Sequence, residues 1–295
     1  MVPLSEPKAE TSLVRERALR SLGELPPFSP ILSKLLASLA NEEEISFVKL
    51  GDLIEKDPVM AGSLLQLVNS ALHARRGSIN SVRHALSLLG INKLRNAVLG
   101  MSISRMWNQM RTPPSWSMAR FNMHSSAAAI LSDLLAQRLN VEYAEGVFVA
   151  ALLHDIGRLL FALRLSEEYE RILQMHESEG KALLECEMEV AGVTHPELSA
   201  KAIKIWNLPE PIQLAARYHH DPASDPSAKG RELTLSRVLD ASNQYVNSKG
   251  VSIPKKCRDC MDPTLVESLG LPEGELQSVL ADFNTEYEAM SAFFR

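Results

Sequence analysis

The sequence of 295 residues lacks the features that mark secreted and membrane-spanning chains. It contains only three cysteines, Cys186, Cys257 and Cys260, which is too few for a disulfide framework. It has no uninterrupted apolar run of about 18 residues, the length that a transmembrane helix needs. Its first residues also lack the apolar core of a signal peptide. We therefore predict a cytoplasmic protein that has no membrane partner.

The chain also lacks an excess of positive charge. Its formal net charge of −5 gives no overall affinity for nucleic acid, because such binding relies on Lys and Arg that neutralise phosphates. The middle of the chain is locally basic through Arg75, Arg76, Arg83, His84, Lys93, Arg95, Arg105 and Arg111. We interpret these residues as a solvated face, so nucleic acid is not a predicted partner.

Alternation of apolar and polar residues with a period of two is scarce, whereas apolar residues at helical spacing occur along the whole chain. We therefore predict an all-α fold in which a helical N-terminal half packs on a helical bundle, with a C-terminal helical extension. The Pro-rich break "RTPPS" separates the two halves. The predicted regions are 1–25 (N-terminal helix and linker), 26–112 (N-terminal half), 113–248 (metal-binding bundle) and 249–295 (extension).

The apolar segment "VFVAALLHDIGRLLFAL", residues 147–163, contains three polar side chains. Its composition predicts a helix over 143–164 that is buried on all faces, yet it holds His154, Asp155 and Arg158. A carboxylate in such a helix costs several kcal/mol unless it is paired or binds a metal. The segment is therefore a candidate site.

Further histidines and an aspartate occupy comparable positions on neighbouring predicted helices. They are His124 within 117–139, His195 at the start of 195–206, His219 and His220 at the end of 210–220, and Asp240 within 231–248. Thr194 and Glu197 have the spacing of a capping box before the helix that His195 begins. Taken singly, each residue has an ordinary explanation, such as a hydrogen-bonded core histidine. Taken together, imidazole and carboxylate groups favour a transition metal over magnesium or calcium, and the absence of cysteine argues against closed structural zinc.

These motifs resemble those of the HD superfamily of metal-dependent phosphohydrolases. "HDIG", with a histidine upstream and an aspartate downstream, has the pattern of the superfamily. The segments "DPVMAGSLLQLVNSA", "ALSLLG" and "WNLPEPIQLAARYHHDP" are similar, in order, to those of HDOD domain proteins. The resemblance covers roughly residues 20–248, and it implies a regulatory protein of bacterial-type signal transduction.

The resemblance also implies a role for each candidate residue. The implied metal ligands are His124, His154, Asp155, His195, His219, His220 and Asp240. Asp155 bridges two metals in binuclear members, and Arg158 corresponds to a basic residue that faces the substrate phosphate, so these two are the predicted catalytic residues. The implied cofactors are two transition-metal ions, iron first, with manganese, zinc, nickel or cobalt as alternatives.

Two functions remain open at this point. The first is metal-dependent hydrolysis of a phosphomonoester or phosphodiester, with a nucleotide or another phosphoester as ligand. The second is a metal-stabilised scaffold without activity, whose N-terminal helical half binds a protein partner. Cyclic-dinucleotide hydrolysis is not indicated, because the chain has no Gly-Tyr-Pro motif after His220 and has Arg120 where that branch has an acidic ligand. Cys257 and Cys260 have no matching ligand pair, so we interpret them as loop thiols.

Overall fold

A computed structural model describes residues 9–40, 46–71, 79–228, 233–253 and 260–294 of the protein. Within these ranges the fold is all-α, as predicted, with fifteen α-helices, five short 3₁₀ segments and no strand. The α-helices are α1 Ala9–Ser21, α2 Pro30–Ala40, α3 Phe47–Glu55, α4 Pro58–Ala71, α5 Val82–Leu89, α6 Ile91–Asn108, α7 Met118–Ala136, α8 Val147–Leu153, α9 Ile156–Arg164, α10 Ser166–Glu179, α11 Leu183–Ala191, α12 His195–Ile205, α13 Glu210–Tyr218, α14 Leu235–Ser248 and α15 Glu273–Phe294.

The N-terminal half consists of α2 to α6, which contact one another. Helix α4 begins after Asp57, whose carboxylate accepts hydrogen bonds from the backbone N–H groups of Val59 and Met60 at 3.1 and 3.0 Å. Near the end of α4, the Asn69 side chain accepts from the N–H of Ile79 and donates to its carbonyl group, at 2.7 and 2.8 Å. These two side chains fix both ends of α4.

Helices α7 to α14 form a bundle in which α7 contacts α8 and α14, and α12 contacts α9 and α13. Both terminal helices cross the predicted regions. Helix α1 packs on α9 and α11 of the bundle, although it precedes the N-terminal half, and α15 packs across α4 and α7. The boundaries that we predict at residues 25, 112 and 248 remain predictions. Helices from different predicted regions contact one another in the structure.

The structure corrects three local expectations. The predicted helix over 143–164 is broken, since α8 ends at Leu153 and α9 begins at Ile156, with a turn at His154 and Asp155. Helix α11 was not predicted at all. The expected capping box is wrong, because the Thr194 side chain makes no capping hydrogen bond to the described residues. The backbone N–H of His195, which follows Thr194, instead donates to a glutamate of α11.

One segment in the described part of the chain, Ala144–Arg164, has the length and composition of a membrane span. However, 94% of its apolar window is buried inside the protein. It comprises α8, α9 and the turn between them, and it lies at the centre of the bundle. Its apolar character is therefore accounted for by core packing, as the sequence predicted.

Candidate metal centre

Six of the predicted site residues converge at the middle of the bundle. They are His124 on α7, His154 and Asp155 in the turn between α8 and α9, His195 at the start of α12, and His219 and His220 at the end of α13. All of them except His220 are at most 1% exposed. The break in the predicted helix is thus part of the site, because it presents two adjacent side chains to elements on either side.

The candidate ligand atoms form two sets that share Asp155. On one side, Nε2 of His124 and Nε2 of His154 lie 3.4 and 3.5 Å from Oδ2 of Asp155. On the other side, Nε2 of His195 and Nε2 of His219 lie 3.1 and 3.8 Å from Oδ1. His220 completes the second set, with its Nε2 3.2 Å from that of His195. In each set of three residues, the candidate ligand atoms lie within 4.8 Å of one another.

The outer nitrogen of three histidines is held by the backbone. Nδ1 of His124, His154 and His219 lies 2.7, 2.6 and 2.8 Å from a backbone carbonyl oxygen. A carbonyl oxygen only accepts hydrogen bonds, so in each case Nδ1 carries the proton. The neutral ring then has its lone pair on Nε2, the atom that faces Asp155. This is the tautomer that a metal-binding histidine needs.

Glu187 holds the ring of His195. This fully buried glutamate of α11 accepts a hydrogen bond from the backbone N–H of His195 at 2.7 Å. Its two carboxylate oxygens lie 2.7 and 2.9 Å from Nδ1 of His195. Glu187 was not among the residues predicted from the sequence, where it is one of three glutamates in the stretch "LLECEMEVA". The arrangement is a carboxylate–histidine pair of the kind that supports metal ligands.

Cys260 lies beside His220. Its Sγ atom is 3.3 Å from Nδ1 of His220, and its carbonyl oxygen accepts a hydrogen bond from Nδ2 of Asn247 at 3.1 Å. Cys257 lies outside the described residues. The prediction of an isolated loop thiol therefore changes for Cys260, because its side chain contacts a candidate ligand.

Gly157 of "HDIG" allows α9 to approach α12 closely. A Cβ atom at this position would lie 2.2 Å from the carbonyl oxygen of His195. The N–H of Gly157 donates to Oγ of Ser199 at 2.9 Å, which holds the two helices at this spacing. A glycine here is therefore required by packing, and the packing sets the position of His195 relative to Asp155.

Arg158 is buried next to the first set of ligands. Its Nη1 donates to Oδ2 of Asp155 at 3.0 Å, and its side chain is 6% exposed. The guanidinium group thus contacts the same carboxylate oxygen that faces His124 and His154. Its predicted contact with a substrate phosphate remains a prediction.

Burial keeps most of these imidazoles neutral. It lowers the pKa of His154 to about 4. It also holds the pKa of His219 well below the ordinary value, with repulsion from His220 as a further cause. The pKa of His220 is likewise far below normal because of burial and of repulsion from His195. Neutral imidazoles bind metals without having to release a proton.

At two further ionisable groups, interactions with neighbouring residues outweigh the effect of burial on the pKa. Burial alone would raise the pKa of Asp155, but His154 and Arg158 outweigh it and hold that pKa well below normal. Burial alone would lower the pKa of His195, but Glu187 and Asp155 outweigh it, so the pKa is raised. Asp155 is therefore a carboxylate at neutral pH and is attractive to cations.

The structure does not bring Asp240 to this cluster. Its carboxylate accepts a hydrogen bond from Nε2 of Gln244 at 2.8 Å, and it lines a separate cavity with Arg237. Asp240 lies within α14, but its side chain lines that cavity and does not join the converging histidines. Burial raises the pKa of Asp240 to about 6.

Comparisons with known proteins agree with this fold. The family model of the HDOD domain matches residues 25–222. An HDOD domain protein of unknown function from Geobacter sulfurreducens has a similar structure, with a TM-score of 0.77, 22% identity and coverage of 97% of each chain. A proposed phosphohydrolase of Shewanella amazonensis SB2B superposes with a TM-score of 0.72 and 20% identity, over 95% of this chain and 98% of its own.

One sequence relative is an uncharacterized protein of Treponema pallidum (strain Nichols), which is 21% identical over 230 residues. The match covers 73% of this chain but 41% of the relative, so the chain spans about two fifths of that protein's length. The HDOD family model, in contrast, covers more than half of this chain. Its matched range includes helices α2 to α6 and every one of the converging residues. The protein belongs to the HDOD domain family.

Proposed function

We propose that the protein is a signalling protein of the HDOD family that binds two transition-metal ions and hydrolyses a phosphate ester. The observation that carries this proposal is the position of Asp155, whose two oxygens face two separate sets of histidines. The donor atoms fit cations. Nε2 of His219 is buried and has no hydrogen-bond partner among the described residues, and it lies 3.8 Å from Oδ1 of Asp155, so a cation held between these two atoms would satisfy the nitrogen.

The two sets divide the ligands between two ions. His124, His154 and Oδ2 of Asp155 would hold the first ion. His195, His219 and His220 would hold the second ion, together with Oδ1 of Asp155. Nitrogen and carboxylate ligands without a thiolate suit iron, manganese, zinc, nickel or cobalt, and iron is our first choice. Two such ions, when bound, supply Lewis acidity at phosphoryl oxygens and lower the pKa of water.

The residues of the chain prepare the site in three ways. Glu187 holds a proton on Nδ1 of His195, which directs Nε2 of the same ring toward Asp155 as the ligand atom. The unprotonated Asp155 supplies the negative charge that draws cations between the sets. Arg158 supplies a buried positive charge beside Asp155, and we propose that it also stabilises the charge that develops on a phosphate in the transition state.

A metal-stabilised scaffold without turnover is the second candidate, and burial favours it. Of the six converging residues, only His220 is partly exposed, so a substrate has to enter past it. The N-terminal half also exposes large apolar side chains, with Phe47, Val48 and Val59 between 48% and 60% exposed. We propose that the predicted protein partner of this half contacts these side chains.

Metal analysis combined with a hydrolysis assay tests both candidates. We expect about two transition-metal ions per chain in the wild type, and loss of metal in His124→Ala, His195→Ala and Asp155→Asn. The same preparations are assayed with p-nitrophenyl phosphate and bis(p-nitrophenyl) phosphate in the presence of manganese or iron(II). Metal with turnover supports the hydrolase, metal without turnover supports the scaffold, and a folded wild type that binds no metal rejects both.

A further inference from the structure

A second cavity lies where the N-terminal half, the bundle and α15 meet. Its volume is about 270 Å³, close to the lower end of the range for small-molecule sites. Its apolar walls come from α4, α6, α7, α8 and α15, and include Leu67, Val68, Ala97, Ile130, Phe148 and Met290.

The polar part of this cavity contains an unsatisfied buried acceptor. Asn96 lines the cavity and is only 6% exposed, and its Oδ1 has no hydrogen-bond partner in the described part of the chain. The neighbouring carboxylate of Asp133 accepts a hydrogen bond from Nε2 of Gln137 at 2.7 Å, and Asn96 lies close enough to this carboxylate to lower its pKa. A buried acceptor without a partner is unfavourable, so an occupant of this cavity that carries a hydrogen-bond donor is favoured.

The charge of the lining is negative. Among the described residues that line the cavity, Lys93 is the only base, and it forms an ion pair with Glu286. The carboxylates of Asp133 and Asp282 remain on the lining, and Arg95 acts on Asp133 from outside it. Burial raises the pKa of Asp133 in spite of its hydrogen bonds. A cation in the cavity would therefore relieve an electrostatic cost as well as supply the missing donor.

We propose that this cavity binds a small amphipathic cation, with its apolar body against the walls and its ammonium group donating to Oδ1 of Asn96 and pairing with Asp133. The two requirements are independent. The apolar lining and the volume select the body, whereas the unsatisfied amide oxygen and the carboxylate select the head group. The proposal does not depend on metal binding or on catalysis at the other site.

Hexylammonium is a suitable probe, and 1-hexanol is its neutral counterpart of equal length. Binding to the full chain is followed by NMR of ¹³C-methyl methionine, with the Met290 signal assigned through Met290→Leu. We expect hexylammonium to shift the Met290 signal and to bind at least tenfold more tightly than hexanol. In Asp133→Asn this preference should fall below twofold, whereas the control Glu170→Gln, which changes an exposed residue of α10, should retain it.

A cavity-filling variant keeps the test decisive if Asp133→Asn folds poorly. Ala289 of α15 lines the cavity, and Ala289→Phe should abolish binding of both probes at Met290. Equal binding of hexylammonium and hexanol to the wild type would overturn the proposed head-group recognition. Unchanged hexylammonium binding in folded Ala289→Phe, or a failure of either probe to affect Met290, would overturn the site itself.

Discussion

Oδ1 of Asp155 lies 3.1 Å from Nε2 of His195, although the two residues belong to different helical segments 40 positions apart. The same carboxylate reaches His124 and His154 with its other oxygen. The carboxylate of Asp155 therefore connects two sets of histidines. The arrangement of the whole centre depends on what holds these two residues in place, namely Glu187, Gly157 and Arg158.

We expect Glu187→Gln to weaken binding of one metal ion by roughly tenfold to a hundredfold, the usual effect of removing an outer partner of a histidine ligand. The amide leaves His195 without the carboxylate that fixes its tautomer, while the set around His124 is not contacted by Glu187. Metal titration by calorimetry should thus show one weakened site and one unchanged. Glu189→Gln, an exposed position of the same helix, is the matched control, and equal weakening in both variants would contradict this assignment.

Gly157→Ala should destabilise the protein by about 3 kcal/mol or more, because the new methyl group overlaps the carbonyl oxygen of His195. The overlap should also move α12 and lower metal content. Urea denaturation measures the stability change. Gly62→Ala on α4 is the control, since a Cβ atom at that position would have no neighbouring atom within 4 Å. This change should stabilise the protein by up to about 1 kcal/mol. Similar stability in Gly157→Ala and the wild type would refute the packing argument.

Arg158→Gln should destabilise the metal-free protein by about 3 to 5 kcal/mol, because it removes one partner of a buried ion pair and leaves Asp155 uncompensated. Manganese should restore much of this loss by neutralising the same carboxylate. The measurement is thermal unfolding with and without the ion. Arg164→Gln removes an exposed ion pair of the same helix with Glu24 and should cost less than about 1 kcal/mol. A loss that manganese does not reduce would argue against cation binding at Asp155.

Asp240→Asn should stabilise the protein at neutral pH and leave its metal content unchanged. The pKa of Asp240 is raised to about 6 in the folded state, so the folded state holds its proton more tightly than the unfolded chain does. Stability contributed by this group is lost as the pH rises from about 4 through 6. The variant should therefore gain about 1 to 3 kcal/mol at pH 8 and less than about 1 kcal/mol at pH 4.

Denaturation of Asp240→Asn and the wild type at both pH values checks the sign of this effect. Metal content of the same two proteins checks the second part of the prediction. Loss of an ion from folded Asp240→Asn would show that Asp240 acts as a ligand after all, as the sequence motifs implied.

The sequence by itself determined the helical class, the family and the residue types of the centre. Helical spacing is a local property, and it placed His124 on the buried face of its helix. A carboxylate in the apolar segment around Asp155 is costly unless it is paired, so the segment alone is enough to indicate a site. These inferences need only residues that are close together in the chain.

Tertiary structure decided which of these residues meet and what supports them. Glu187 holds His195 because α11, a helix that we did not predict, brings this side chain to the first residue of α12. Cys260 reaches His220 across 40 positions, and the carboxylate of Asp240 accepts a hydrogen bond from Gln244 and lines a different cavity. Such contacts follow from how whole helices pack, including the close approach of α9 and α12 at Gly157. Helical periodicity predicts which side chains are buried, but it carries no information about the residue that a buried side chain will contact.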